Sequence, residues 1–251
     1  MDDNFIDKMA DAVQRHLRMS FAIDVQDAHI ALERVPFDLM HDDFCTVWEE
    51  YNGALFDSIR LLVRYERSLK AWDTLAEDLE DNVRLTCLAD YAFPTFRVAC
   101  DLPLTFKEQL AKGVVKLEYL ATGDRSLLEK EGKGKTGPRA GYYYAELKRL
   151  ACENPELKPI QDCIKEDLYN SVEAKHLQEM HGRAFHDSAA TLMGGRVTIV
   201  TFDEGGYGSI IEDPIDLKAE LGILDRHRAR IQQGYELFSK RARNLYEGLR
   251  G

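Results

Sequence analysis

A short stretch of the chain, from His181 to Asp187, carries residue types that could act on a phosphate ester. Arg183 and His186 stand there with two residues between them. A histidine titrates near neutral pH and can act as general base or acid, while a guanidinium stabilises charge that develops on a phosphoryl group. A ribonuclease that works without a metal needs this combination. The sequence therefore predicts Arg183, His186 and Asp187 as catalytic residues.

The same stretch belongs to a predicted helix, residues 160–193, whose apolar face is interrupted. Both ends of the helix keep an apolar side at 100° per residue, but the middle of that side holds Ser171, Lys175, Gln178, Gly182 and His186. Two interpretations stay open: the helix breaks near Asn170 or emerges into solvent, or the bundle encloses a polar pocket. In the second case we expect the pocket to be lined by Ser171, Gln178, Gly182 and His181.

Metal chemistry is a weaker alternative for this helix. Glu173 and His176 have the Glu-x-x-His spacing of di-iron bundles, which need two such pairs and two further carboxylates. The chain adds only the weaker Asp38-x-x-His41, so the set is incomplete, and no metal and no cofactor are predicted, with Glu173 and His176 as weak candidate ligands. The five cysteines form no C-x-x-C pair and are expected to be reduced and buried.

The elements that must position these residues are mostly helical. Three- and four-residue spacing of apolar side chains predicts helices over about 44–70, 75–92, 105–121, 140–152 and 160–193, with Pro94 and Pro103 separating the second from the third. Residues 196–211 read as a β-hairpin with a Gly-rich turn. From Leu217 to Leu249 apolar residues keep a heptad spacing that only Arg228 interrupts. Tyr142, Tyr143 and Tyr144 could stack on bases, but successive helical positions point apart, which favours packing.

The predicted fold class is mainly α, a helical bundle with one small β-hairpin before a long C-terminal helix. The length of 251 residues suits a single helical domain, residues 1–251. The alternative subdivision has an N-terminal helical part, 1–122, a flexible Gly- and Lys-rich loop, 123–139, and a C-terminal helical part, 140–251, that contains the hairpin.

The region from 160 to 250 resembles the HEPN superfamily, the helical nucleotide-binding and ribonuclease domains common in bacterial defence systems. The resemblance rests on a helix carrying His181-Gly182-Arg183-Ala184-Phe185-His186-Asp187, an irregular or hairpin segment, and a long closing helix. It implies that Arg183 and His186 form the active pair and that two protomers build the site together. The family's motif separates its arginine and histidine by more residues than stand between them here.

Charge limits the partners that the sequence can be expected to bind. The chain has 33 Lys and Arg against 44 Asp and Glu, a net charge of −11, which argues against a protein that coats nucleic acid. Residues 226–251 are an exception, because seven basic residues there oppose only Glu236 and Glu247. This basic C-terminal helix could meet RNA or dock on a second copy. No window is apolar enough to span a membrane, and the acidic start differs from a secretory signal, so we predict a cytoplasmic protein.

These observations favour a soluble helical protein that acts by binding a protein partner or a second copy of itself, in a bacterial defence, toxin–antitoxin or immunity context. The first alternative is a HEPN-like, metal-independent ribonuclease that uses the Arg183 and His186 pair. The second is a helical-bundle metal enzyme.

Overall fold

The computed structural model describes residues 3–22, 42–123, 141–186, 196–201, 207–212 and 215–250. The α-helices, in chain order, are α1 (Asp3–Ala22), α2 (Asp42–Ala76), α3 (Asp81–Cys87), α4 (Phe93–Ala121), α5 (Tyr142–Glu153), α6 (Lys158–Asp162), α7 (Val172–His186) and α8 (Leu217–Arg250). Leu88–Ala92 and Cys163–Asn170 form wider π-helical turns, and Pro155–Leu157 is a 3₁₀ turn. The predicted all-α character is confirmed.

The hairpin requires a correction to the predicted fold class. Two strands, β1 (Arg196–Thr201) and β2 (Tyr207–Glu212), pair antiparallel, with Arg196 opposite Glu212 and Thr201 opposite Tyr207. The predicted fold class included this hairpin as an element of the fold, and that part of the prediction is wrong, because within the described residues the core is built from helices. A two-stranded ribbon is marginally stable in water and forms no layer that could bury a core. The fold is therefore all-α.

The chain divides into two compact units of interleaved segments. The first unit comprises Met1–Asp27, Leu62–Asp101 and His176–Arg226, and the second comprises Ala28–Leu61, Leu102–Lys175 and His227–Gly251. Trp72 lies in the core of the first unit, stacked between the rings of His16 and Tyr91. The core of the second unit includes Tyr235, whose hydroxyl donates to Asn52 Oδ1 at 2.8 Å. Except for Gly123, the predicted loop 123–139 lies outside the described residues.

The prediction that Pro94 and Pro103 separate two helices is wrong. Helical structure runs without interruption from Asp81 to Ala121, and Pro103 lies inside α4. A proline ring clashes with the carbonyl four residues before it, which for Pro94 is that of Asp90. Asp90 belongs to the π-helical turn Leu88–Ala92, where the wider backbone relieves this clash. The chain therefore continues as a helix through a residue that usually ends one.

The predicted helix over 160–193 is also broken, as the first interpretation of its polar middle expected. The π-helical turn ends at Asn170, and Ser171 has an extended backbone with ψ of 156°. The Ser171 hydroxyl accepts a hydrogen bond from the amide of Ala174 at 3.1 Å, so Ser171 caps the start of α7. The first apolar end of the predicted helix therefore precedes the break, and the part of the second end beyond His186 lies outside the described residues.

The heptad of the closing helix is confirmed along most of its length. Its seam residues from Leu217 to Ala242 are buried, including Arg228. Asp216 begins the helix, since its Oδ1 accepts from the amides of Lys218 and Ala219 at 3.0 and 3.2 Å. Among the helices of the described part of the chain, none has the length and apolarity that a membrane span requires.

One glycine in α4 is required by close packing. A Cβ at Gly113 would lie 2.9 Å from Cβ and Cγ of Tyr51 and 3.1 Å from Cε2 of Phe238. We expect Gly113→Ala to destabilise the protein by about 1–3 kcal/mol, because overpacking outweighs the better helix propensity of alanine. The matched control is Gly182→Ala in α7, where a Cβ would meet nothing within 4 Å and should stabilise by about 0.5–1 kcal/mol. Urea unfolding of both variants measures the opposite signs, and two stabilising substitutions would contradict the packing of Gly113.

Candidate functional site

Two of the predicted residues on α7, His176 and His181, each contact a carboxylate within the first unit, and these four residues are called the cluster. His181 donates through Nδ1 to Oδ1 of Asp101 on α4, and about one third of each side chain is exposed. A carboxylate that engages Nδ1 orients the ring and selects its tautomer, the arrangement found around catalytic histidines. The sequence placed His181 at a pocket but gave no indication of Asp101, which is 80 residues away.

His176 forms the second pair of this cluster. Its Nε2 lies 2.9 Å from both carboxylate oxygens of Glu220, which is buried at the start of α8. Burial raises the pKa of Glu220, while hydrogen bonding to His176 and the charges of His176 and Arg183 act in the opposite direction. Burial, together with the charges of Glu220 and Asp101, also raises the pKa of the Cys100 thiol. Each of the two carboxylates, Asp101 and Glu220, is therefore bound by a histidine of α7.

The predicted catalytic trio is only partly described. Arg183 lies in the same unit as the cluster, with Nη1 4.0 Å from Sδ of Met180. The backbone of His186 ends α7 but its side chain lies outside the described part, as does the whole of Asp187. The predicted pairing of Arg183 with His186 and Asp187 stays a prediction.

The predicted pocket residues have different local surroundings, and the pocket itself stays a prediction. Ser171 is buried as the cap of α7, with its hydroxyl donating to the carbonyl of Asp167 at 2.7 Å. Gln178 Nε2 is buried and has no hydrogen-bond partner among the described residues. Gly182 has open space where a Cβ would stand.

The two candidate metal ligands are each engaged by another side chain. Glu173 binds Arg230 of α8, with an Nη2 to Oε2 distance of 3.0 Å, and His176 binds Glu220. Within the described ranges no group of three His, Cys, Asp or Glu side chains is arranged to hold a metal ion. The pair Glu173 and His176 therefore gives the metal-enzyme alternative no geometric support.

Several basic side chains of the closing helix α8 are buried or form ion pairs within the protein. Arg230 binds Glu173 and Asp167, and Arg241 binds Glu118 and Glu156. Arg228 is buried. From residue 226 onward, the charged side chains of the helix that are exposed are Arg226, Lys240, Arg243 and Arg250 with positive charge and Glu236 and Glu247 with negative charge. The helix therefore presents a much weaker field to RNA than its sequence indicates.

The second unit contains a cavity that the sequence did not indicate. Its volume is about 550 Å³, within the range usual for small-molecule sites. Three lysines and three tyrosines dominate its lining: Lys107, Lys112, Lys165, Tyr143, Tyr144 and Tyr169. We call it the lysine–tyrosine cavity. Cations beside aromatic faces are suited to a ligand that carries both negative charge and a flat ring.

Lys107 is the most unusual cation of the cavity. Its Nζ lies 4.6 Å from the ring centroid of Tyr169, and it makes no ion pair with any residue that the structure describes. Burial lowers the pKa of Lys107, with the neighbouring charge of Glu108 acting in the opposite direction. An ammonium group that is half-buried and makes no ion pair gains electrostatic stabilisation from a bound anion. Lys165 differs, because it is exposed and bound to Glu166.

Tyr143 brings a polar group that lacks a partner. Its hydroxyl oxygen is buried and has no hydrogen-bond partner among the described residues. Lys112 Nζ lies 5.5 Å from the centroid of its ring. Buried polar groups in native proteins are rarely left unpaired, and one that lines a cavity is a natural donor or acceptor for a ligand.

The amino end of α5 also lies at this cavity. Gly141 precedes the helix with φ of +83°, a left-handed conformation that favours glycine, and it lines the cavity with Tyr143 and Tyr144. Glycine has no side chain with which to cap the first amides of the helix. Uncapped amides and the positive end of the helix dipole add to the attraction for an anion that the lysines create.

The cavity was missed because its residues come from three separate segments. Tyr142, Tyr143 and Tyr144 were interpreted as packing residues, and two of the three line the cavity. The signal that could have found it is the density of lysine in a stretch of α4 that packs in the core, at Lys107, Lys112 and Lys116. Lysine side chains are rarely buried unless their charge is paired.

Comparison with known proteins does not add to these observations: no family model, curated protein or solved structure matches this chain. The resemblance to the HEPN superfamily therefore stays a prediction.

Proposed function

We propose that this protein acts by binding and that its ligand is a small anion with an aromatic ring, of the nucleoside phosphate class, held in the lysine–tyrosine cavity. The observation that carries the proposal is the half-buried Lys107, which has an aromatic ring as its close partner and makes no ion pair with any described carboxylate, Glu108 acting on it only through its charge. A phosphate group supplies the missing negative charge.

The remaining cavity residues fit the two parts of such a ligand. Lys112 and the uncapped amino end of α5 add positive potential on the side of Gly141. Tyr144 and Tyr169 offer ring faces on which a base can stack, and Tyr143 offers a hydroxyl for a directional hydrogen bond. The resemblance to a superfamily that includes nucleotide-binding domains supports the same ligand class.

A small ligand is favoured over an RNA chain by the distribution of charge. The seven basic residues after position 225 were the basis for expecting RNA, and two of them, Arg230 and Arg241, bind carboxylates within the second unit. Polymer binding depends on many exposed cations along a surface, whereas the cavity needs only a few that are already half-buried. Binding of a protein partner, action as a ribonuclease and a role in bacterial defence stay predictions.

Lys107→Met is expected to weaken nucleotide binding by about ten- to hundredfold, since a hydrogen bond to a charged group contributes roughly 1.5–3 kcal/mol. Isothermal titration calorimetry with ATP, AMP, adenosine and inorganic phosphate measures this effect and separates the ring from the phosphate. The matched control is Lys148→Met, an exposed lysine of α5 that does not line the cavity. Binding should also decline with rising pH earlier than an ordinary lysine would cause, because the pKa of Lys107 is lowered.

A companion variant, Tyr143→Phe, removes only the unpaired hydroxyl. It should leave the free protein equally or more stable and still weaken the bound state. The proposal is wrong if none of the four probes binds, or if Lys107→Met and Lys148→Met bind ATP with equal affinity.

A further inference from the structure

Helix α1 has two apolar faces, and only one of them is used within the protein. On the inner face Ala12 is fully buried, His16 stacks on Trp72, and Met9 Sδ accepts from the Cys87 thiol at 3.6 Å. On the outer face Ile6, Ala10, Leu17 and Phe21 are exposed, Phe21 to 90% of its surface. We call these four residues the outer stripe.

The outer stripe is a continuous line along the helix. At 100° per residue its four side chains fall within about 60° of one another. A surface helix that packs once against its own protein normally presents polar residues on the opposite face. Apolar residues aligned at 3.6-residue spacing on both faces indicate a second packing partner for α1.

We infer that the outer stripe binds the outer stripe of a second copy of this chain, with the two α1 helices antiparallel. In one register Ile6 lies opposite Phe21 of the second copy, and Ala10 lies opposite Leu17. Each contact then pairs a smaller with a larger side chain, and the two-fold axis passes between residues 13 and 14. Such a surface is self-complementary, as a two-fold interface requires.

Charge selects the antiparallel orientation. Asp7 and Arg18 flank the outer stripe on the same side, about 20° apart, and both are exposed. Neither forms an ion pair with another described residue. In an antiparallel pair Asp7 of each copy comes near Arg18 of the other, twice per interface, whereas a parallel pair would place the charged flanks of the two helices on opposite sides of the interface, without these contacts.

The expected dimer is weak and reversible, because one pair of short helices buries less surface than stable interfaces do. Sedimentation equilibrium over a range of concentrations should therefore show monomer and dimer exchanging. Leu17→Glu should abolish the dimer. The matched control is Val172→Glu on α7, since Val172 is 81% exposed and is not part of the outer stripe, and it should dimerise like the unchanged protein.

Charge reversal tests the orientation. Asp7→Arg and Arg18→Asp should each weaken the dimer at least severalfold, and the double variant should restore most of the affinity. In a Cys152→Ser background, which removes the exposed thiol among the described cysteines, Gln14→Cys should be crosslinked between chains by a short thiol reagent and Ala10→Cys should not. Circular dichroism confirms that each variant is folded.

Three results would overturn the inference. The first is a strict monomer at every concentration, which would leave a different protein as the partner of the stripe. The second is a dimer that Leu17→Glu does not weaken. The third is crosslinking at Ala10→Cys but not at Gln14→Cys, which would show parallel helices.

Discussion

Arg241→Ala is expected to lower the free energy of unfolding by about 3–5 kcal/mol, the usual cost of removing one partner of a buried ion pair. Arg241 and Glu118 are exposed to only 10% and 9%, and they form a two-pronged contact, with Nε to Oε1 at 2.5 Å and Nη2 to Oε2 at 3.0 Å. Glu156 also binds the guanidinium. Removing the arginine leaves the Glu118 carboxylate buried and uncompensated.

Two controls separate this cause from a general effect on α8. Lys240→Ala, at the adjacent exposed position, should change the unfolding free energy by no more than about 0.5 kcal/mol. The double variant Glu118→Leu with Arg241→Leu should recover most of the loss, because apolar side chains of similar volume replace a buried pair at little cost. Urea unfolding at neutral pH measures all of them. An Arg241→Ala variant as stable as Lys240→Ala would contradict the buried pair.

Acidification from pH 7 to pH 4 is expected to destabilise the protein through His227 by about 3 kcal/mol, at roughly 1.4 kcal/mol per pH unit of pKa difference. His227 is 1% exposed on α8, and burial, reinforced by the charge of Arg230, lowers its pKa from 6.5 to about 4. Between pH 6.5 and about pH 4 the imidazole of His227 is protonated in the unfolded chain but neutral in the folded protein. The contribution is therefore fully favourable above pH 6.5 and is lost as the pH falls.

The variant His227→Leu isolates this effect. Its unfolding free energy should depend less on pH between 7 and 4 than that of the unchanged protein, whatever its stability at neutral pH. His16, whose pKa is also lowered by burial, contributes in the same direction in both proteins and so cancels in the comparison. Urea unfolding at several pH values gives the two slopes. If the unfolding free energies of the two proteins depended equally on pH, His227 would be protonated as readily in the folded state as in the unfolded chain.

Local patterns in the sequence were sufficient to predict the long helices. The seam from Leu217 to Ala242 repeats without a slip, and every one of its positions is buried. The apolar positions of α2 were equally regular, although the helix extends from Asp42 to Ala76, beyond the predicted 44–70. Such periodicity needs no knowledge of the partner, since any core that a helix meets requires one apolar face.

Breaks in helices were predicted less well, because they depend on what the backbone does nearby. Pro103 was expected to separate two helices but lies inside α4. Conversely, the helix predicted over 160–193 is interrupted, because the π-helical turn ends at Asn170. A proline or a polar residue changes the local energy by a few kcal/mol, and burial on either side of it can outweigh that amount.

The sequence by itself determined that this protein is helical, which faces of its long helices are buried and that its net charge is acidic. The tertiary structure alone decided which charges and rings meet. His181 contacts Asp101, 80 residues away in the chain, and Arg241 contacts Glu118, 123 residues away, so part of the positive charge of α8 is compensated within the protein. The lysine–tyrosine cavity likewise gathers residues from three segments. Periodicity reports how one segment faces the core, but contacts between distant segments leave no regular spacing in the chain.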